Sequence, residues 1–146
     1  MIPYVATAAT SLLGGYFTRQ GLGSKWFECI KPESMPPNYV FPVVWTILYV
    51  LLAISFEAFK DNLYASWLYS SNLVLNVYWC YAYFANQDIA SALWSMYALL
   101  GITSALFWLT QDMRLLPYLG WLLFATYLTQ QSSQKKASCL KYKNKV

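Results

Sequence analysis

Charge is missing from long stretches of this chain, and that absence decides what it can fold into. No Asp, Glu, Lys or Arg occurs from residue 2 to residue 18, and between Asp61 and Asp112 the only one is Asp88. Charged residues are 11% of the sequence and apolar residues 58%, whereas a soluble domain carries about 25% charge. Too few polar side chains exist to cover a water-facing surface. Five apolar runs stand out, at residues 2–18, 38–59, 63–85, 89–110 and 115–131. At about 1.5 Å per helical residue, runs of this length approach or match a hydrocarbon core of about 30 Å.

Alternating strand patterns are weak, so a membrane barrel is not expected. Helices satisfy their backbone groups internally, as lipid demands. The expected fold class is therefore an all-α integral membrane protein, a bundle of five transmembrane helices. Residues 1–131 form the transmembrane domain, with a long loop over 19–37, and residues 132–146 form a basic polar tail. Polar turns at Lys60, Asp61 and Asn62, and at Asn86, Gln87 and Asp88, are tight enough to make neighbouring spans antiparallel. Eight of the ten basic residues lie in the 19–37 loop and the tail, and only Lys60 and Arg114 lie on the other side. The positive-inside rule then puts the long loop and the C-terminus in the cytosol. The first basic side chain is Arg19, so the first run lacks the basic start of a secretory signal and is expected to remain as a span.

Histidine is absent, which removes the usual metal ligand and neutral-pH base. No metal site is expected. Cys29, Cys80 and Cys139 form no CxxC pair and are expected to be free thiols. The tail lysines suit anionic lipid headgroups, and membrane lipids rather than nucleic acid are the expected partners.

The third run places Asn72, Asn76, Trp79 and Tyr83 at helical spacing on one face. Amides in hydrocarbon need partners, so this face should point into the bundle. The second run presents Phe41, Trp45 and Leu52 on one side. The last presents Tyr118, Trp121, Ala125 and Leu128. Trp45, Trp79 and Trp121 could thus surround a flat apolar molecule, or form part of an interfacial aromatic belt. Trp26, Trp67 and Trp94 lie near span ends and fit an interfacial belt. Ala6, Thr10 and Gly14 form a small-residue stripe that permits close packing; whether it serves the bundle or a homodimer stays open.

The order of these residues resembles the signature of the TspO/translocator family of tryptophan-rich sensory proteins. Its Trp-Tyr, Lys-Pro, Pro-Pro, Phe, Trp-Thr and Leu-Tyr series is matched by Trp26 with Phe27, Lys31 with Pro32, Pro36 with Pro37, Phe41, Trp45 with Thr46, and Leu48 with Tyr49. The third run resembles the family's Gln, Leu-Asn, Trp, Phe-Phe pattern through Asn72, Leu75 with Asn76, Trp79, and Tyr83 with Phe84. The last run resembles Pro-Tyr, Trp, Phe-Ala through Pro117 with Tyr118, Trp121, and Phe124 with Ala125; Thr129 stands where the family has Asn.

The resemblance implies a membrane receptor or translocator that binds porphyrins or sterol-like ligands. It implies ligand contacts from Trp26, Pro32, Phe41, Trp45, Asn76, Trp79, Tyr118, Trp121 and Ala125, with the 19–37 loop as a lid. It implies no required cofactor, with porphyrin as ligand or substrate. Some members promote light-dependent porphyrin breakdown, which would make Trp45 and Trp121 the catalytic residues. The competing reading is a structural or assembly subunit without a pocket. A proton-coupled exporter is disfavoured, because Glu57 is the only acid inside a run and lies at its end.

Overall fold

Six helices build the described part of the chain, and each boundary has a local cause. The computed structural model describes residues 2–21, 25–31, 36–37 and 39–143, with side chains of the last helix described to Lys135. The helices are α1 (Ile2–Gly21), α2 (Lys25–Ile30), α3 (Val40–Phe59), α4 (Leu63–Cys80), α5 (Ile89–Thr110) and α6 (Leu116–Lys143). Asn62 starts α4 by accepting the Ala65 amide at 3.2 Å, and Asp88 starts α5 by accepting the Ser91 amide at 3.2 Å. Both are N-caps with extended backbone. Pro42 and Pro117 fall in the first turns of α3 and α6, where a missing N–H costs little. Helix α5 ends on Gln111, which adopts a left-handed conformation at φ 52°.

The all-helical expectation holds, with no strand among the described residues. The five-span count needs adjustment. Five helices are long, but among the described residues only α3 and α5 are long and apolar enough to cross a membrane by composition alone. The reason is visible in α4, whose Asn72 and Asn76 lower its apolar character while being buried inside the bundle. The sixth helix, α2, lies in the segment expected to be a loop. Helix α6 runs on to Lys143, through most of the segment expected to be a frayed tail.

The packing is inverted relative to a water-soluble protein. Val5, Leu12, Val50, Val74, Trp67, Trp94, Trp108 and Leu123 are exposed, while Asn72, Asn76, Ser55, Thr103 and Asp112 are buried. Helix hydroxyls turn back on their own backbone: Thr7 donates to the Pro3 carbonyl at 2.7 Å and Thr126 to the Leu122 carbonyl at 2.7 Å. An apolar exterior with internally paired polar groups is what lipid solvent selects. Trp67 and Trp94, expected at span ends, are among the exposed rings.

Helix α4 does not end as an α-helix. Residues Tyr81–Ala85 form a π turn, in which the Asn86 amide reaches back to the Tyr81 carbonyl at 2.7 Å. Helix α1 packs against α3, α4 and this turn. Gly21 is required there, since a Cβ on it would lie 2.7 Å from the Phe84 side chain. Helix α2 folds onto α6, and Lys135 donates to the Lys31 carbonyl at 3.0 Å. The long connection and the end of α6 therefore lie at one end of the bundle. Cys29 on α2 is disulfide-bonded, which corrects the free-thiol expectation there: the fold supplies a proximity that linear spacing does not reveal. Cys80 is a buried free thiol.

Candidate functional site: an aromatic cavity behind the first helix

A cavity of about 380 Å³ lies between α1, α3 and α4. Phe41, Trp45 and Tyr49 wall it from α3, Trp79 and Cys80 from α4, and Phe84 from the π turn. The wall on α1 consists of small and polar residues, Ser11, Gly14, Gly15 and Thr18, with Arg19 at the end. Gly15, Pro42 and Thr46 are exposed yet line the cavity, so it opens along the seam between α1 and α3. Its size falls within the roughly 300–1,000 Å³ range of small-molecule sites.

The rings are arranged as one connected set. Trp45 stacks on Tyr49, with centroids 5.4 Å apart, and Trp79 stacks on Tyr83 at 5.4 Å. Trp45 meets Trp79 at 6.2 Å and Trp121 edge-on at 6.2 Å. Phe41 meets Trp121 edge-on at 6.0 Å. These separations lie in the range where aromatic pairs contribute beyond area burial.

Three buried polar atoms near this set have no hydrogen-bond partner among the described residues: Trp79 Nε1, Trp121 Nε1 and Asn76 Oδ1. Buried donors and acceptors are normally paired, and each orphan costs about 1–3 kcal/mol. Trp79 is 5% exposed and its side chain lines the cavity, while its N–H is shielded within the packed wall and has no partner there.

The sequence-predicted residues separate into groups. Phe41, Trp45 and Trp79 line the cavity together. Trp121 stands behind Trp45 and borders a shallower recess with Val44, Leu48 and Phe124. Asn76 and Tyr118 belong to a polar knot: Asn76 Nδ2 donates to the Tyr118 hydroxyl at 2.6 Å, which donates to Asn72 Oδ1 at 2.7 Å. Asn72 in turn donates to Thr103 on α5 at 2.8 Å. This knot ties α4, α5 and α6. Ala125 is buried in the core, and Trp26 is half-buried with its ring 6.4 Å from Tyr83. Pro32 lies outside the described residues.

Sequence reasoning missed the α1 wall. Gly14 and its neighbours read only as packing residues, and Gly14 does pack closely, since a Cβ there would meet Cys80 Sγ at 3.3 Å. Gly15 has nothing within 4 Å of such a Cβ. That pair of adjacent glycines, one against a neighbour and one facing open space, was the available signal.

A bundle with an apolar exterior, polar residues buried within its core and an aromatic cavity opening sideways defines a membrane-embedded protein with room for a small apolar molecule. The sequence comparisons agree with that class. The chain matches the TspO/MBR family over residues 2–133, nearly its whole length, and it belongs to that family. It is 31% identical to the tryptophan-rich protein TspO of Archaeoglobus fulgidus over 134 residues, covering 85% of this chain and 88% of the relative. It is 28% identical to the tryptophan-rich protein TspO of Chlorobaculum tepidum over 136 residues, covering 82% and 84%. It is 27% identical to the tryptophan-rich sensory protein of Cereibacter sphaeroides over 114 residues, covering 71% and 72%.

Proposed function

We propose that this protein binds a flat, largely apolar ligand of the porphyrin or sterol-like class in the cavity between α1, α3 and α4, as a receptor or translocator. The observation that carries the reading is the open cavity itself, walled by Phe41, Trp45, Tyr49, Trp79 and Phe84. Aromatic walls favour a planar ring system through stacking and area burial. A purely structural subunit has no use for an open aromatic cavity of about 380 Å³. The sensory label carried by one relative is compatible with ligand detection. Trp26 and the 19–37 segment would act as the cover on the cytosolic side.

The bound ligand is expected to quench tryptophan fluorescence, because Trp45 and Trp79 form its wall. Titration of the protein in lipid nanodiscs with protoporphyrin should give saturable quenching in the micromolar range, about 8 kcal/mol. Absence of saturable quenching would overturn the reading. The contact of Trp45 with Trp121 at 6.2 Å favours a second step, oxidation of an illuminated porphyrin through these indoles under oxygen. Illumination of the same complex tests it: equal bleaching rates for free and bound pigment would leave a binder without catalysis.

A further inference from the structure

We infer that Arg19 makes the cavity selective for ligands carrying a carboxylate at one edge. The inference rests on the cavity being a ligand site and adds what distinguishes one ligand from another there.

Among the described residues, Arg19 is the one formally charged side chain on the cavity wall. It lies in the last turn of α1, at the end of the bundle where Lys31 and Lys135 meet, and it is exposed. Among the described residues it has no ion pair and no side-chain hydrogen bond. Two hydroxyls near it are already engaged. Thr18 donates to the Gly14 carbonyl at 2.7 Å and Thr46 to the Pro42 carbonyl at 2.6 Å. The guanidinium is therefore a free cationic donor at the mouth of the cavity.

The polarity of the cavity thus runs in one direction. The interior is aromatic and neutral, and the rim carries a planar cation. A guanidinium fits a carboxylate through two parallel hydrogen bonds, and such charge-assisted pairs are about twice as strong as neutral ones. At a membrane interface the matching ligand is an amphiphile with its ring system in the bundle and its acid group at the headgroup level. A porphyrin with free propionates has that shape, and its esters and neutral sterols do not. Arg19 also suits the negative end of the α1 dipole, but that role would make no distinction between an acid ligand and its ester.

The test compares protoporphyrin with its dimethyl ester in nanodiscs of phosphatidylcholine, read by tryptophan quenching. The wild type should bind the diacid about tenfold more tightly than the ester. Arg19→Gln should bring the diacid down to the level of the ester and leave the ester unchanged, which shows an intact cavity. Arg19→Lys should keep part of the preference and Arg19→Glu should reverse it. Equal binding of acid and ester by the wild type would overturn the inference while leaving the ligand site standing, and would point to a lipid phosphate as the partner of Arg19. Equal loss of both ligands in Arg19→Gln would also overturn it. Failure of the wild type to bind either pigment would overturn the ligand site itself.

Discussion

The two ends of this bundle treat buried polarity in opposite ways. At one end Tyr69 donates to the Ser55 hydroxyl at 2.5 Å, Ser55 donates to Asp112 at 2.6 Å, and Arg114 donates to Asp112 at 2.8 Å. These four residues tie α3 and α4 to the turn between α5 and α6, and their polar groups are engaged. Towards the other end, the aromatic set holds two indole N–H groups and an amide oxygen without partners. The first region is built to hold itself closed. The second leaves polar atoms unpaired inside its packing, at a cost in stability.

That contrast can be broken by substitution, starting with the clamp. Asp112→Ala leaves Ser55 and Arg114 without their acceptor and should lower stability by about 2–3 kcal/mol. Thermal unfolding in detergent measures this, and porphyrin affinity should stay as in the wild type. A parallel loss of affinity would show that the two ends are coupled. Trp45→Ala should do the reverse, weakening porphyrin binding by about 2 kcal/mol, near thirtyfold, with a smaller change in melting temperature. Trp121→Ala should cost less affinity than Trp45→Ala, because Trp121 supports Trp45 from behind.

Trp79→Phe sharpens the comparison further. It keeps a ring at the wall and removes the unpaired N–H. Affinity should stay within about threefold of the wild type, while stability holds or rises, since the donor removed had no partner. A marked loss of stability would mean that Trp79 serves packing alone.

The smallest effect concerns acid. Burial raises the Asp112 carboxyl, but hydrogen bonds from the Arg114 side chain and the Ser55 hydroxyl outweigh it and hold the group below its usual value. A carboxyl lowered in the folded state contributes stability that is present above its unfolded value, about 3.9, and is lost as pH falls through the lowered folded value. Melting temperature should therefore decline at the acid limit in the wild type and less so in Asp112→Asn. Identical acid limbs would remove Asp112 from the clamp.

Much of the fold was legible because lipid imposes simple rules. The uncharged runs gave the starts of the long helices to within a few residues, although α6 runs twelve residues past its apolar run, and Asn62 and Asp88 marked the starts of α4 and α5. Helix α2 was not legible. It is a six-residue helix, and its stability comes from Phe27 and Ile30, both fully buried, which linear sequence cannot reveal. The polar face of α4 was read correctly as inward-facing, but its division was hidden. Asn76 and Tyr118 join the knot, whereas Trp79, three residues on from Asn76, faces the cavity. The contribution of α1 was missed because small residues carry no chemical signature until a neighbour shows which of them faces space.

The π turn at Tyr81–Ala85 has a consequence for how this family of sequences can drift. A π turn accommodates one residue more than the α turn it replaces, and each helical residue advances about 100°. Deleting one residue there would restore ordinary winding and swing Phe84 away from Gly21 and Tyr83 away from Trp79. Composition, apolar runs and the order of motif letters would hardly change. Two chains of this kind could thus align well and still present different walls to their cargo, so the count of residues between Trp79 and Asp88 carries information that percentage identity does not.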